Sequence, residues 1–114
     1  ATRSEIPVIE VVVNNHVLGM VRQWQNLFYG ERYSSTTLYD KVDFVKLAEA
    51  MGAKAKRVET IEEFEAAFKE AVASNEPYLL DCIIDSDDKV WPMVAPGAAI
   101  SEAFDEQDLK EKNR

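Results

Sequence analysis

The run at residues 6–13, Ile-Pro-Val-Ile-Glu-Val-Val-Val, limits what this chain can fold into more than any other feature. It is β-branched and almost continuously apolar. A half-buried antiparallel strand would alternate apolar with polar residues. A run without alternation suits a strand buried on both faces, as in a parallel sheet covered by helices. The run stops at Asn14-Asn15, a pair whose side chains bond to nearby backbone and favour a turn. Parallel strands cannot be joined by hairpins, so helices should follow.

The next segments supply them. Val21, Trp24 and Phe28 recur at helical spacing and predict a helix over residues 18–29, with Arg22, Gln23 and Gln25 as polar partners and Gly30 as its stop. Residues 31–40 are polar, with Ser34, Ser35, Thr36 and Thr37 together, and read as a loop. Asp43 is placed to cap a second helix whose inner face is Phe44, Leu47, Ala48 and Met51, ended by Gly52. Lys56-Arg57-Val58 is a short strand candidate. Thr60-Ile61-Glu62-Glu63 has the form of a capping box, and the helix behind it carries Ile61, Phe64, Phe68, Ala71 and Val72 on one face until Asn75-Glu76-Pro77. Residues 78–84 form the clearest strand, residues 85–89 an acidic turn. Residues 90–99, with Pro92, Pro96 and Gly97, should be ordered but irregular. From Ser101 a charged tail could form a terminal helix anchored by Ala103, Phe104 and Leu109; at the other end, residues 1–5 read like the tail of a helix.

The order strand, helix, helix, strand, helix, strand is that of an α/β layer with parallel strands and right-handed crossovers. Residues 1–100 are expected to form one α/β unit and residues 101–114 a charged C-terminal tail. Three strands are few for such a sheet. The remainder is expected from elsewhere, and an exposed sheet edge is an expected route to self-association.

Composition removes several function classes. The 114 residues make one domain at most. Acids outnumber bases 21 to 13, the net charge is -8 and no basic run exists, so nucleic acid is not an expected partner. No apolar stretch reaches the ~20 residues of a membrane-spanning helix, no signal peptide is evident, and a membrane partner is not expected. Cys82 cannot form an internal disulfide, has no evident His or basic neighbour, and reads as a small hydrophobe instead of a reactive thiol. This suits a cytosolic or organelle-stroma protein, and a bacterial cytoplasmic setting is the expectation. His16, the sole histidine, is expected to be an ordinary loop residue and not a general base. Asp87-Asp88 should be a solvated turn and not a metal site.

Ligands of an open parallel sheet bind beyond the carboxyl ends of its strands. Asn14 and Asn15 lie at that end of the first strand, and the helix starting near Leu18 directs free N–H groups to the same place, which suits a diphosphate. An Asn carbonyl is a hard oxygen, appropriate for Mg²⁺. Taken alone, an Asn pair after a strand is most often only a turn, and apolar residues at helical spacing are most often core.

The string from Asn14 to Gln25, Asn-Asn-His-Val-Leu-Gly-Met-Val-Arg-Gln-Trp-Gln, resembles the signature of acetolactate (acetohydroxyacid) synthase large subunits. The likeness continues through Leu27-Phe28-Tyr29, Arg32-Tyr33-Ser34 and the run from Asp43 to Gly52, and resumes at Pro92-Met93-Val94 with Gly97. It covers nearly the whole chain. The resemblance is to the C-terminal part of the thiamine-diphosphate-binding domain, and implies a truncated, partial three-layer α/β/α domain with a small parallel sheet. In that family the cofactor motif opens with Gly-Asp-Gly and closes with Asn-Asn. This sequence has the close and no Gly-Asp-Gly. The magnesium-binding Asp, the strand before it, the pyrimidine-binding domain with its catalytic Glu and the middle domain are therefore expected outside it, and the isolated chain is expected to be inactive.

By resemblance, Asn15 would bind Mg²⁺ through its side chain and Val17 through its backbone carbonyl. Asn14 would support the turn at the cofactor, Leu18 and Gly19 would bring amides to the diphosphate, and Met20 would pack near cofactor and substrate. Trp24 would shape the pocket for the second 2-oxo acid, favouring 2-oxobutyrate, and line the channel where herbicides bind, with Val21 and Phe28 flanking it. Pro96 and Gly97 would belong to a segment closing over that channel. No residue here would itself be catalytic. The implied reaction is decarboxylation of pyruvate on thiamine diphosphate and ligation to a second 2-oxo acid, at the entry to branched-chain amino-acid synthesis. FAD, where the complete enzyme binds it, would not be held by this segment. The implied partners are the rest of the large subunit, a second large subunit and, where present, a regulatory small subunit.

Two other readings stand beside this one. One is a pyruvate oxidase or other thiamine-diphosphate carboligase, against which the run from Gly19 to Gln25 and Pro92-Met93-Val94 argue. The other is a non-catalytic α/β interaction module, favoured by the missing Gly-Asp-Gly and opposed by Asn14-Asn15. Ala98-Ala99 and Trp91 depart from the family pattern and bear on inhibitor sensitivity.

Overall fold

The computed structural model describes residues 1–38 and 42–112. Tyr39 and Asp40, the end of the expected loop, lie outside the described residues, as do Asn113 and Arg114 of the tail. The elements are β1 (Ile9–Asn14), α1 (Gly19–Phe28), α2 (Phe44–Ala50), β2 (Lys54–Val58), α3 (Ile61–Ser74), β3 (Tyr78–Ile83) and α4 (Glu106–Lys112). Short 3₁₀ turns occur at Thr2–Ser4 and Ile100–Glu102.

The strands form one parallel sheet in the order β1-β3-β2, with Val11 opposite Leu80 and Val58 opposite Cys82. The chain passes from β1 to the far strand β2 and then returns to the middle. Two crossovers that run in opposite directions with the same hand must lie on opposite faces. They do. Ala67 and Ala71 of α3 pack with Val58, Tyr78 and Leu80 on one face. Phe44 and Leu47 of α2, with Met51 at its C-cap, face Val12 and Leu79 on the other. This is the expected α/β/α layering. The two alanines are nearly inaccessible because their small side chains let α3 approach the sheet closely.

Local chemistry fixes the helix ends. Asp43 accepts the Lys46 N–H at 3.2 Å, and the Thr60 hydroxyl oxygen accepts the Glu63 N–H at 3.1 Å. The Glu63 carboxylate takes the Glu59 N–H at 2.8 Å, one residue before the Thr60 amide that a capping box would engage. Asn75 ends α3 in the left-handed region at φ 51°.

Three expectations change. β1 is not buried on both faces: Val11 is 41% exposed and Val13 66%. β1 is the edge of the sheet, and α3 lies over β2 and β3, leaving Val11 and Val13 uncovered. β1 also starts at Ile9 and not at residue 6, since Pro7 has no N–H for a ladder. Finally, α4 begins at Glu106, so Ala103 and Phe104 precede it. Phe104 instead pairs with Met93 in an antiparallel bridge with two 2.8 Å hydrogen bonds.

α1 stands off the sheet and packs with the residue 31–38 loop and the segment after β3. The molecule is accordingly elongated, 52 × 27 × 26 Å, with a radius of gyration of 18.0 Å against about 13 Å for a compact domain of near this length.

Candidate functional site

The turn after β1 is built from two successive Asn side chains. Asn14 donates through Nδ2 to Asp81 Oδ1 at 3.0 Å and accepts the His16 N–H on Oδ1 at 3.1 Å. Asn15 Oδ1 accepts the Val17 N–H at 3.3 Å. Between them His16 takes a left-handed φ of 56° and stays exposed. Its place is a turn, as expected of a loop residue.

Val17 then pairs with Thr37 in an antiparallel bridge, with Leu18 N–H donating to Thr36 O at 2.8 Å and Leu38 N–H to His16 O at 2.9 Å. In a pair flanked this way, the N–H and C=O of Val17 itself point away from Thr37. Asn15 takes the N–H. The carbonyl of Val17, a residue only 7% exposed, accepts no hydrogen bond among the described residues. Asn15 Oδ1 keeps a second lone pair. The turn thus offers two hard carbonyl oxygens, a donor set that fits Mg²⁺. Among the described residues no group of three His, Cys, Asp or Glu side chains could hold a metal.

The start of α1 fits a diphosphate. Leu18 is its N-cap without a side-chain cap, and no acid occupies the first turn. The Leu18 amide is already committed to Thr36, so the amides left without acceptors among the described residues are those of Gly19, Met20 and Val21. Such unfilled N–H groups at the positive end of a ten-residue helix favour an anion. A Cβ on Gly19 would lie 2.8 Å from Asn15 Nδ2. Glycine is what allows the Asn15 side chain to lie against the helix start.

The flank of α1 carries an open groove of ≈ 540 Å³ lined by Met20, Val21, Trp24, Gln25, Tyr29 and Arg32. Met20 and Val21 are exposed there. Phe28 lies beside the groove, edge-on to Trp24 at 6.2 Å and to Phe104 at 6.3 Å, and Trp91 meets Phe104 at 5.9 Å. Pro96 and Gly97 are exposed and outside the lining; Gly97 turns the chain at φ 81°. The structure therefore gathers Asn14, Asn15, Val17, Leu18 and Gly19 in one turn, sets Met20, Val21 and Trp24 along the adjoining groove, and leaves Pro96 and Gly97 apart.

The polar residues of α1 tie the site together. Gln23, 3% exposed, exchanges two hydrogen bonds with the Val90 backbone, at 2.9 and 3.0 Å. Gln25 donates to Ser34 O and accepts from Thr36 Oγ1. Arg22 binds Asp87 at 2.7 Å and stacks over Tyr33 at 4.0 Å. That hydrogen bond is the main cause that raises the Arg22 pKa and lowers the Asp87 pKa from their ordinary values. Cys82 is half-buried, and burial, then the nearby Asp81, push its thiol pKa up, away from thiolate reactivity.

The sequence reading missed Asp81. It is 1% exposed on the central strand, with Oδ1 bound by Asn14 and Oδ2 by Arg57 Nε, each at 3.0 Å. Arg57 Nη2 also donates to Asp43 Oδ1 at 2.8 Å. The bond to Asp81 is the first cause that raises the Arg57 pKa, and the bond from the Lys46 amide the first that lowers the Asp43 pKa. One signal was available: a lone carboxylate inside the apolar run Tyr78-Leu79-Leu80-Asp81-Cys82-Ile83 can be buried only if paired.

Comparison with known proteins gives consistent likenesses. The family described as thiamine pyrophosphate enzyme, C-terminal TPP binding domain, matches residues 1–82. A probable acetolactate synthase large subunit of Methanocaldococcus jannaschii is 50% identical over 103 residues, 89% of this chain and 17% of that protein. The acetolactate synthase isozyme 2 large subunit of Escherichia coli is 46% identical over 90% of this chain and 19% of its own length. The mitochondrial acetolactate synthase catalytic subunit of Saccharomyces cerevisiae is 46% identical over 90% of this chain and 15% of its own length. The chain thus spans less than a fifth of these relatives. Among solved structures, a thiamine diphosphate-dependent 4-hydroxybenzoylformate decarboxylase of Rhodococcus jostii superposes with a TM-score of 0.67 at 29% identity, over 77% of this chain and 17% of that one.

Proposed function

This chain belongs to the family of thiamine pyrophosphate enzyme C-terminal TPP-binding domains, and from that premise we propose that it supplies the Asn-Asn half of the cofactor site of an acetolactate synthase large subunit. The observation that carries the reading is the turn itself. Two carbonyl oxygens, from Asn15 and Val17, stand beside the uncapped start of α1.

In this reading Asn15 Oδ1 and the Val17 carbonyl hold Mg²⁺, and the amides of Gly19 and Met20 receive diphosphate oxygens. Asn14 holds the turn, and Leu18 contributes its position as N-cap, its amide being engaged by Thr36. When bound, the cofactor supplies the carbanion chemistry by which pyruvate loses CO₂ and joins a second 2-oxo acid. The residues of this chain bind, orient and shield. Trp24, with Met20 and Val21 beside it, gives the groove an apolar wall that would prefer the larger 2-oxobutyrate, and Phe28 braces Trp24 from behind. Pro96 and Gly97 would reach the groove only by a movement of their turn. The remaining ligand of the metal, an Asp in a Gly-Asp-Gly turn, would come from sequence upstream; FAD, a second large subunit and a regulatory subunit would contact other parts of the enzyme.

Calorimetric titration of thiamine diphosphate with Mg²⁺ tests this on two proteins: residues 1–114, and a version extended upstream through the expected Gly-Asp-Gly. Binding by the extended protein alone is the expected result, together with no turnover of pyruvate by residues 1–114. Binding by neither would overturn the reading, return Asn15 to a turn residue and favour the interaction-module alternative.

A further inference from the structure

The geometry points to Asp81 as the positioning residue that fixes the metal-binding turn, acting through Asn14; this deepens the proposed function and rests on it. Asp81 lies on the central strand, opposite Arg57 on β2 and Val12 on β1, and Asn14 follows two residues after Val12 on the same face. That diagonal lets the Asn14 amide reach the carboxylate. Both oxygens of this carboxylate accept, one from Asn14 and one from Arg57. Asn14 must therefore turn its NH2 toward Asp81, which leaves Oδ1 as the acceptor for the His16 N–H. With that bond made, His16 sits in its left-handed conformation between Asn15, whose side chain accepts the Val17 N–H, and Val17, whose carbonyl points the same way. Arg57 fixes the carboxylate from the other side, and is itself gripped by Asp43 at the start of α2. A buried carboxylate in an apolar strand costs stability unless it is fully paired, and here one of its two partners is the turn.

The test uses the complete cofactor-binding protein with Mn²⁺ as a paramagnetic stand-in for Mg²⁺, read by electron paramagnetic resonance in the presence of thiamine diphosphate. Thermal unfolding is measured in parallel. Asp81→Asn is expected to weaken Mn²⁺ binding on the order of tenfold, as loss of a partner behind a metal ligand commonly does. Asn14→Ala, which leaves the Asp81–Arg57 pair intact, should reproduce that loss. The double variant should bind about as well as Asn14→Ala alone, because the two act along one path. If Asp81→Asn lowers the unfolding temperature and leaves Mn²⁺ affinity unchanged, Asp81 serves the fold only and the inference is wrong. Should Asp81→Asn not fold, Asn14→Ala with unchanged Mn²⁺ affinity overturns it equally. Absence of Mn²⁺ and cofactor binding by the unsubstituted protein would instead remove the proposed function, and this inference with it.

Discussion

At the scale of single residues, Gly19 separates stability from binding. A methyl group there would approach Asn15 Nδ2 to 2.8 Å, and the contact can be relieved only by displacing that side chain. Alanine also favours helix over glycine by up to about 1 kcal/mol, less at a helix end. Gly19→Ala should therefore leave the unfolding temperature nearly unchanged while weakening metal-dependent cofactor binding by the complete protein. Thermal unfolding beside calorimetry checks both halves; unchanged binding would mean that the Asn15 side chain is not needed where it lies. The Asn14-Asn15 turn was legible because a mostly apolar run ends there and a helix starts a few residues later. Asp81 and Gln23 were not. Their partners, Arg57 and Val90, lie 24 and 67 positions away, and a polar residue read locally is assigned to solvent until the group it satisfies is known. Gln23 sits between groove residues at helical spacing, and periodicity alone could not show that it is buried.

At the scale of elements, β3 carries the load. Leu80 is completely buried between α3 and the sheet, and its neighbours Ala67 and Ala71 have no larger side chain with which to fill a gap. Leu80→Ala should cost about 2–5 kcal/mol, read as a lower urea midpoint with an unchanged slope. A loss well under 1 kcal/mol would show that α3 can settle into the cavity. The helices were the most legible elements because their ends are written in short-range chemistry: Asp43, Thr60 and Asn75 each act within their own turn. The strands were less so. Continuous apolarity in β1 signals that both faces are meant to be covered, but not by which element, and α3 covers only the neighbouring pair. The start of α4 was misplaced for a related reason. Phe104 is drawn out of a helical pattern by pairing with Met93, whose place beside it nothing local announces.

At the scale of the whole molecule, the sheet ends too early. β1 has a strand on one side only among the described residues, and along it Ile6, Val8, Val11 and Val13 are all more than 40% exposed. An edge that is apolar, lacks lysine and is not wrapped by a helix invites another strand. The net charge of -8 opposes encounter between copies, but that repulsion is screened within about 8 Å at physiological salt. The balance should shift with ionic strength. Residues 1–114 alone are expected to show an average mass that rises with concentration in sedimentation equilibrium, more steeply in high salt than in low. Val11→Lys, which puts a charge on the uncovered part of β1, should return the chain to a monomer without altering its helices, whose caps and core lie elsewhere. A clean monomer at every concentration and salt would mean that the exposed valines are too narrow a strip to hold a second chain. Association that survives Val11→Lys would move the contact to another apolar surface, such as the groove beside Trp24 or the one between α2 and the sheet.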